Sequence, residues 1–212
     1  MDADRASVQP PEGGYPIQLG VTTDRQMSRW WGIPILGVAV RGFLSIPHIV
    51  VLQVLGIANT IWLLFGWIYI LAYGRVPAVY VRLATEIMQR QARVLGYAFL
   101  MMPSEYPPLE PGPSRPINVQ FHPDTLEINR WWGVPIANWI VRYFMLLAHF
   151  FIMVAMWIVA ILMWLVVWIP VLLFGRYPDW AASFYGTTLR YTVRVIAYFF
   201  FLPVPYPPIW PD

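Results

Sequence analysis

Two long stretches of the chain carry no charge, and short segments rich in arginine, proline and aromatic residues frame them. Between Arg41 and Arg75 lie 33 residues without a charged side chain, and between Arg142 and Arg176 another 33. A helix crosses a bilayer core in about 20 residues, so each block exceeds one crossing. From Pro34 to Tyr73 there are 40 residues, enough for two short crossings and a tight turn. Gly56 and Asn59 suit that turn in the first block, whereas the second reads Trp157-Ile158-Val159 there. With hairpins, the arginines that flank the blocks, from Arg25 to Arg194, fall on one side, and the far turns near 55–59 and 156–160 are uncharged. This is the positive-inside pattern; a single span per block would put arginine on both sides. The pattern predicts two hairpins, hence four crossings, with both termini cytoplasmic and the halves parallel about an axis along the membrane normal.

A Gly-Arg-x-Pro turn ends each block, and a third helical segment follows. In Ala78–Leu100 the residues Arg82, Glu86, Gln89, Arg90 and Arg93 share one stripe, with Leu83, Ile87, Val94 and Leu95 opposite. The later copy carries Asp179, Ser183, Thr187, Arg190 and Arg194. So many charges in one crossing helix are expensive, so both segments are expected to lie in the headgroup plane. Short alternating stretches at Tyr15–Thr22 and Ile117–Phe121 read as strand-like cytoplasmic ends. Residues 1–14 are polar, mix both signs and read as a disordered tail.

These parts recur because the chain repeats itself. Arg29-Trp30-Trp31-Gly32-Ile33-Pro34 returns as Arg130-Trp131-Trp132-Gly133-Val134-Pro135, an offset of 101. Residues 29–99 laid on 130–200 without a gap give 22 identities in 71 positions. Arg41 meets Arg142, His48 meets His149, and Tyr97 meets Tyr198. Tyr106-Pro107-Pro108 returns as Tyr206-Pro207-Pro208 at an offset of 100. The expected organisation is repeat one over 15–108, a Pro-rich linker over 109–115, and repeat two over 116–212. The fold class is an all-α membrane protein of two tandem repeats, each a transmembrane hairpin plus an interfacial amphipathic helix.

The order of Arg41, Ile46-Pro47-His48, a long apolar block, Gly-Arg-x-Pro, an Arg-bearing amphipathic helix and Tyr-Pro-Pro resembles the DUF4389 family. The resemblance covers both repeats, roughly 15–108 and 116–208, as two tandem copies; Ala148 departs from it by replacing the proline before His149. It is a bacterial membrane family without an assigned function, so it implies a multi-pass protein of the bacterial cytoplasmic membrane and no catalytic residues.

Composition narrows the chemistry. The chain is 58% hydrophobic and 17% aromatic but only 12% charged, against about 25% charged in a soluble domain. The net charge of +3 is too small and scattered for a nucleic-acid footprint. There is no cysteine, and all 14 basic residues are arginine. Thiolate metal sites, cysteine nucleophiles and lysine Schiff bases are therefore excluded. No catalytic set and no metal-ligand cluster is visible, so the expectation is that the chain is not an enzyme. His48 and His149, each seven residues after an arginine, either fix helix packing through hydrogen bonds or ligate haem or a chlorophyll-type pigment. Arg41, Arg75, Arg93, Arg142, Arg176 and Arg194 are read as lipid-headgroup contacts. Asp24 or Glu86 is the alternative partner of Arg41, and Asp124 or Asp179 that of Arg142. Trp30, Trp31, Trp131 and Trp132 read as an aromatic interface belt. The expected function is a non-catalytic accessory or scaffold subunit without a resident cofactor, binding other integral membrane proteins, lipid or a second copy of itself. The alternatives are a small pore or transporter on the pseudo-two-fold axis and a pigment-binding protein.

Overall fold

The computed structural model describes residues 15–21, 26–33, 35–100, 105–110, 117–122, 125–134 and 136–209. The tail expected over 1–14 and most of the linker expected over 109–115 lie outside the described residues.

Each charge-free block is helical from end to end, so the hairpins do not form. In the second repeat α4 runs over Ala137–Phe174, 38 residues, about 57 Å at 1.5 Å per residue. In the first, α1 (Leu36–Leu44) and α2 (Ile46–Tyr73) are separated by Ser45 alone, whose helical dihedrals carry the chain across. A proline stands at the break, although α4 runs on through its own Pro170. Pro47 opens α2, and a proline ring crowds the carbonyl four residues back and removes an amide donor. Its counterpart in the unbroken α4 is Ala148. The turn expected at Gly56 and Asn59 fails because a lone glycine costs a helix only about 1 kcal/mol. Asn59 is buried, and its carbonyl accepts a hydrogen bond from the Tyr80 hydroxyl at 3.1 Å. Two helical stretches, Ile46–Tyr73 and Trp139–Phe174, are long and apolar enough to cross a membrane, and little of either is buried inside the protein.

Gly74 and Gly175 end α2 and α4 in the left-handed region, at φ +64° and +62°, where glycine pays no steric penalty. Pro77 and Pro178 then start α3 (Ala78–Val94) and α5 (Asp179–Phe199). Each returns along its own long helix: Trp62 stacks on Tyr80 at 4.5 Å, and the Tyr185 hydroxyl donates to the Ala160 carbonyl at 3.1 Å. The Tyr80 hydroxyl reaches the Phe200 carbonyl and the Tyr177 hydroxyl the Leu100 carbonyl, both at 2.7 Å. The start of each return helix thus lies at the end of the other, and α3 and α5 run antiparallel.

The strands obey the same symmetry. β1 (Ile17–Val21) and β2 (Ile117–Phe121) pair antiparallel with Leu19 opposite Val119, so equivalent strands meet about their own midpoint. The 3-10 turns Arg29–Gly32 and Arg130–Gly133 are exchanged between halves. Gly32 sits against the backbone of Leu172, and Gly133 against Leu71 and the Trp67 carbonyl. Met27 N donates to Gly175 O at 2.8 Å and Ile128 N to Gly74 O at 2.9 Å. The halves are therefore interleaved and inverted about an axis perpendicular to the helices, which overturns the expected axis along the membrane normal. The arginine pairs follow: Arg75 and Arg130 share one cleft, Arg29 and Arg176 flank Gly175, and all of α4 separates the two pairs.

The core lies between α3, α5 and the inner face of the strand pair, where Ile17, Leu19, Ile117 and Val119 are buried. This also corrects the reading of the third segments as interfacial. Gln89, Arg90, Arg93 and Arg194 are buried. Gln89 Nε2 donates to Ile117 O at 2.6 Å and its Oε1 accepts from Val119 N, fastening β2 to α3. Arg90 pairs with Glu86 at 2.6 Å and donates to Leu109 O at 2.8 Å. On α3 the Gln89–Arg93 part of the stripe that reads as a headgroup face thus turns onto the protein itself while Arg82 is exposed; on α5 Arg194 is buried and Asp179 and Ser183 are exposed.

Candidate functional site

Two equivalent clusters, one per repeat, each gather an arginine and a histidine: Arg41 of α1 with His48 of α2, and Arg142 with His149 of α4. In the first, the Arg41 guanidinium is sandwiched between the rings of Trp31, at 4.5 Å, and Tyr97, at 4.8 Å. Its Nη1 donates to the Tyr97 carbonyl at 3.1 Å. In the second, Arg142 lies 4.8 Å from Trp132 and 4.5 Å from both Tyr198 and Phe201, and donates to the Tyr198 carbonyl. A guanidinium stacks on aromatic faces and still presents its fork of donors, which suits arginine to a clasp joining a 3-10 turn, a long helix and the end of a return helix.

Two helical turns further on, each histidine closes the cluster. His48 Nε2 donates to the Pro107 carbonyl at 3.0 Å, and Tyr106 covers the imidazole at 5.3 Å. His149 Nδ1 shares a 2.6 Å hydrogen bond with the Tyr191 hydroxyl under the Tyr206 ring at 4.9 Å. Tyr106 and Tyr206 also meet Tyr97 and Tyr198 edge to face. Each Tyr-Pro-Pro segment is thus a strap over its own histidine and the ring that holds the arginine. Arg41, His48 and His149 have no exposed surface, and Arg142 has 3%.

The other expected site residues divide. Arg75 and Arg176 are exposed at opposite ends of the molecule. Arg93 and Arg194, expected at headgroups, are buried; Arg93 donates to the Glu110 carbonyl at 3.4 Å and Arg194 lies over Tyr15 at 5.2 Å. Burial lowers the Arg93 guanidinium from its ordinary value. Trp30 and Trp131 each keep 77% of their surface exposed, whereas Trp31 and Trp132 are half-buried in the clasps. Of the expected ion-pair partners, Glu86 pairs with Arg90, and Asp24 and Asp124 lie outside the described residues. Among the described residues no group of His, Asp and Glu could hold a metal ion. Sequence reasoning missed the roles of Tyr97, Tyr198, Tyr106 and Tyr206, although all four are identities between the repeats.

No curated protein and no solved structure matches the chain. The stretch from α1 to the first strap, which carries Arg41, His48, Tyr97 and Tyr106, is similar to a known family: residues 36–109 match the family model described as Domain of unknown function (DUF4389).

Proposed function

We propose that this chain is a non-catalytic scaffold subunit of the bacterial cytoplasmic membrane, crossing it with α2 and α4. The outer faces of those helices meet lipid and other membrane-embedded chains. The observation that carries this reading is the direction of the side chains. Arg41, His48, Arg142 and His149 all turn inward and bond to α3, α5 or the straps. Ile57, Ile61 and Leu64 on α2, and Ile158, Ile161 and Leu165 on α4, are left outward. Chains associate in lipid by packing rather than by hydrophobic burial, so broad aliphatic faces are useful where they meet a partner. The burial of both imidazoles beneath tyrosine rings supports a packing role for them over pigment ligation.

Cross-linking in native membranes, followed by purification in mild detergent, tests the reading. The double variant His48→Gln and His149→Gln should keep the wild-type set of cross-linked subunits, because glutamine can still hydrogen-bond inward. Ile161→Arg with Leu165→Arg should lose that set. If the histidine variant instead loses both its partners and a bound chromophore, the scaffold reading fails and pigment binding replaces it.

A further inference from the structure

The inverted repeat is not perfectly symmetric, and one departure from it lies at a groove. Between α1, the end of the α3 return and the middle of α4 lies an apolar space of about 540 Å³, walled by Val38, Phe99, Leu100, Trp157, Ile161 and Trp164. At an offset of 101, Val38, Leu100 and Trp164 become Trp139, Phe201 and Leu63, while Trp157 becomes Gly56; Trp139, Phe201 and Leu63 border a space of about 20 Å³. The Trp139 indole packs there edge-on to Phe199 at 5.4 Å and Phe201 at 5.1 Å. At the position of Val38, therefore, one half of the molecule packs an indole and the other leaves space.

We propose that the open groove holds one acyl chain of a bilayer lipid. The polar atoms in its wall are already satisfied: Trp157 Nε1 donates to Thr192 Oγ1 at 3.2 Å, and Thr192 Oγ1 donates to the Thr188 carbonyl at 2.8 Å. Nothing there asks for a polar ligand, and apolar cavities do not hold water. An unfilled groove forfeits the dispersion contacts of its lining atoms. Phe99 and Ile161, more than half exposed, stand at the mouth, and Ile161 belongs to the apolar surface read above as membrane-facing. The phase that reaches the groove is then bilayer hydrocarbon, and a methylene chain is the occupant with the indole's thickness. The inference rests on that membrane placement.

The test is photo-cross-linking in phosphatidylethanolamine–phosphatidylglycerol vesicles doped with a phospholipid bearing a diazirine on its acyl chain, with adducts mapped by mass spectrometry. Adducts on Phe99, Trp157 and Trp164 should exceed those on the outward residues Phe151 and Leu162. Val38→Trp, which copies Trp139, should lower the groove adducts about tenfold, the change expected when roughly 1.4 kcal/mol of binding is lost, and leave the outward adducts unchanged. Trp139→Val should create new adducts at Leu63 and Phe201. If Val38→Trp disturbs the fold, the outward adducts change as well, and Leu100→Phe then decides: a fall in groove adducts alone supports the site. Groove adducts that no plugging variant reduces overturn the proposal while the membrane placement stands. A wild-type protein without adducts on either surface overturns both.

Discussion

The exchange of 3-10 turns makes a sharp prediction at Gly32. An alanine there would place its Cβ 2.4 Å from Leu172 N and 2.7 Å from Leu172 Cα, where ordinary contact begins at 3.4 Å. The clash is with helix backbone, so no rotamer relieves it. The turn must back away from α4 by 3.4 − 2.4 = 1.0 Å, loosening Trp31 from Arg41 as it goes. Overpacking of this kind costs about 1–3 kcal/mol. For a chain of this size each kcal/mol lowers Tm by about 2–4 °C, so Gly32→Ala should melt about 2–12 °C below wild type. Gly133→Ala meets Leu71 at 2.8 Å and should lose less. Gly20→Ala, whose Cβ would find its nearest neighbour at 4.0 Å, is the control and should melt like wild type. The assay is intrinsic tryptophan fluorescence against temperature in detergent. If Gly32→Ala melts with wild type, the turn does not dock on the other half's helix and the interleaved fold is wrong.

Three other perturbations probe separate features. Gly56→Ala adds a methyl into open space mid-helix and should stabilise by about 1 kcal/mol; a lower Tm would revive the hairpin turn. Because the chain has no cysteine, single substitutions Arg75→Cys and Arg176→Cys can be labelled cleanly with an impermeant maleimide in oriented vesicles. They should react from opposite sides, and labelling from one side alone would refute the inverted arrangement. Arg142→Lys keeps the charge but loses the stack on Trp132 and Tyr198, and should cost about 1–2 kcal/mol in the same melting assay. An unchanged Tm would mean the clasp holds nothing together.

The repeat, the apolar blocks and the pairing of Arg41 with Arg142 and of His48 with His149 could all be read from residue order. What escaped was the choice among partners. A charge-free run of 33 residues fits two short crossings or one long helix, and periodicity does not separate them. Asn59 carries a turn signal that is equally a helix-packing signal once Tyr80 stands opposite. The α3 stripe was visible, but an amphipathic stripe says only that something polar lies against it. That polar neighbour is β2 and the Leu109 carbonyl, brought there by contacts distant in sequence. Arginine placement misled for a related reason: the positive-inside argument took Arg90, Arg93 and Arg194 as free to sit at a membrane surface, and they are interior. Residue order gives each Trp-Trp pair one shared reading, and the structure divides it: Trp30 and Trp131 face outward while Trp31 and Trp132 hold cations.

Interleaving ties folding to the order of synthesis. When the ribosome has reached Glu110, the surface at Trp67–Leu71 and the turn at Gly32 both lack partners, because Gly133 and Leu172 do not yet exist. The 64 residues from there to Phe174 take about 3–13 s to make at roughly 5–20 residues per second. During that interval the first half waits with both docking surfaces open, each complementary to the other by the pseudo-symmetry of the repeat. Two such halves on neighbouring ribosomes can clasp one another as the halves of one chain do. Closely spaced synthesis should therefore yield exchanged dimers, and spaced synthesis single chains.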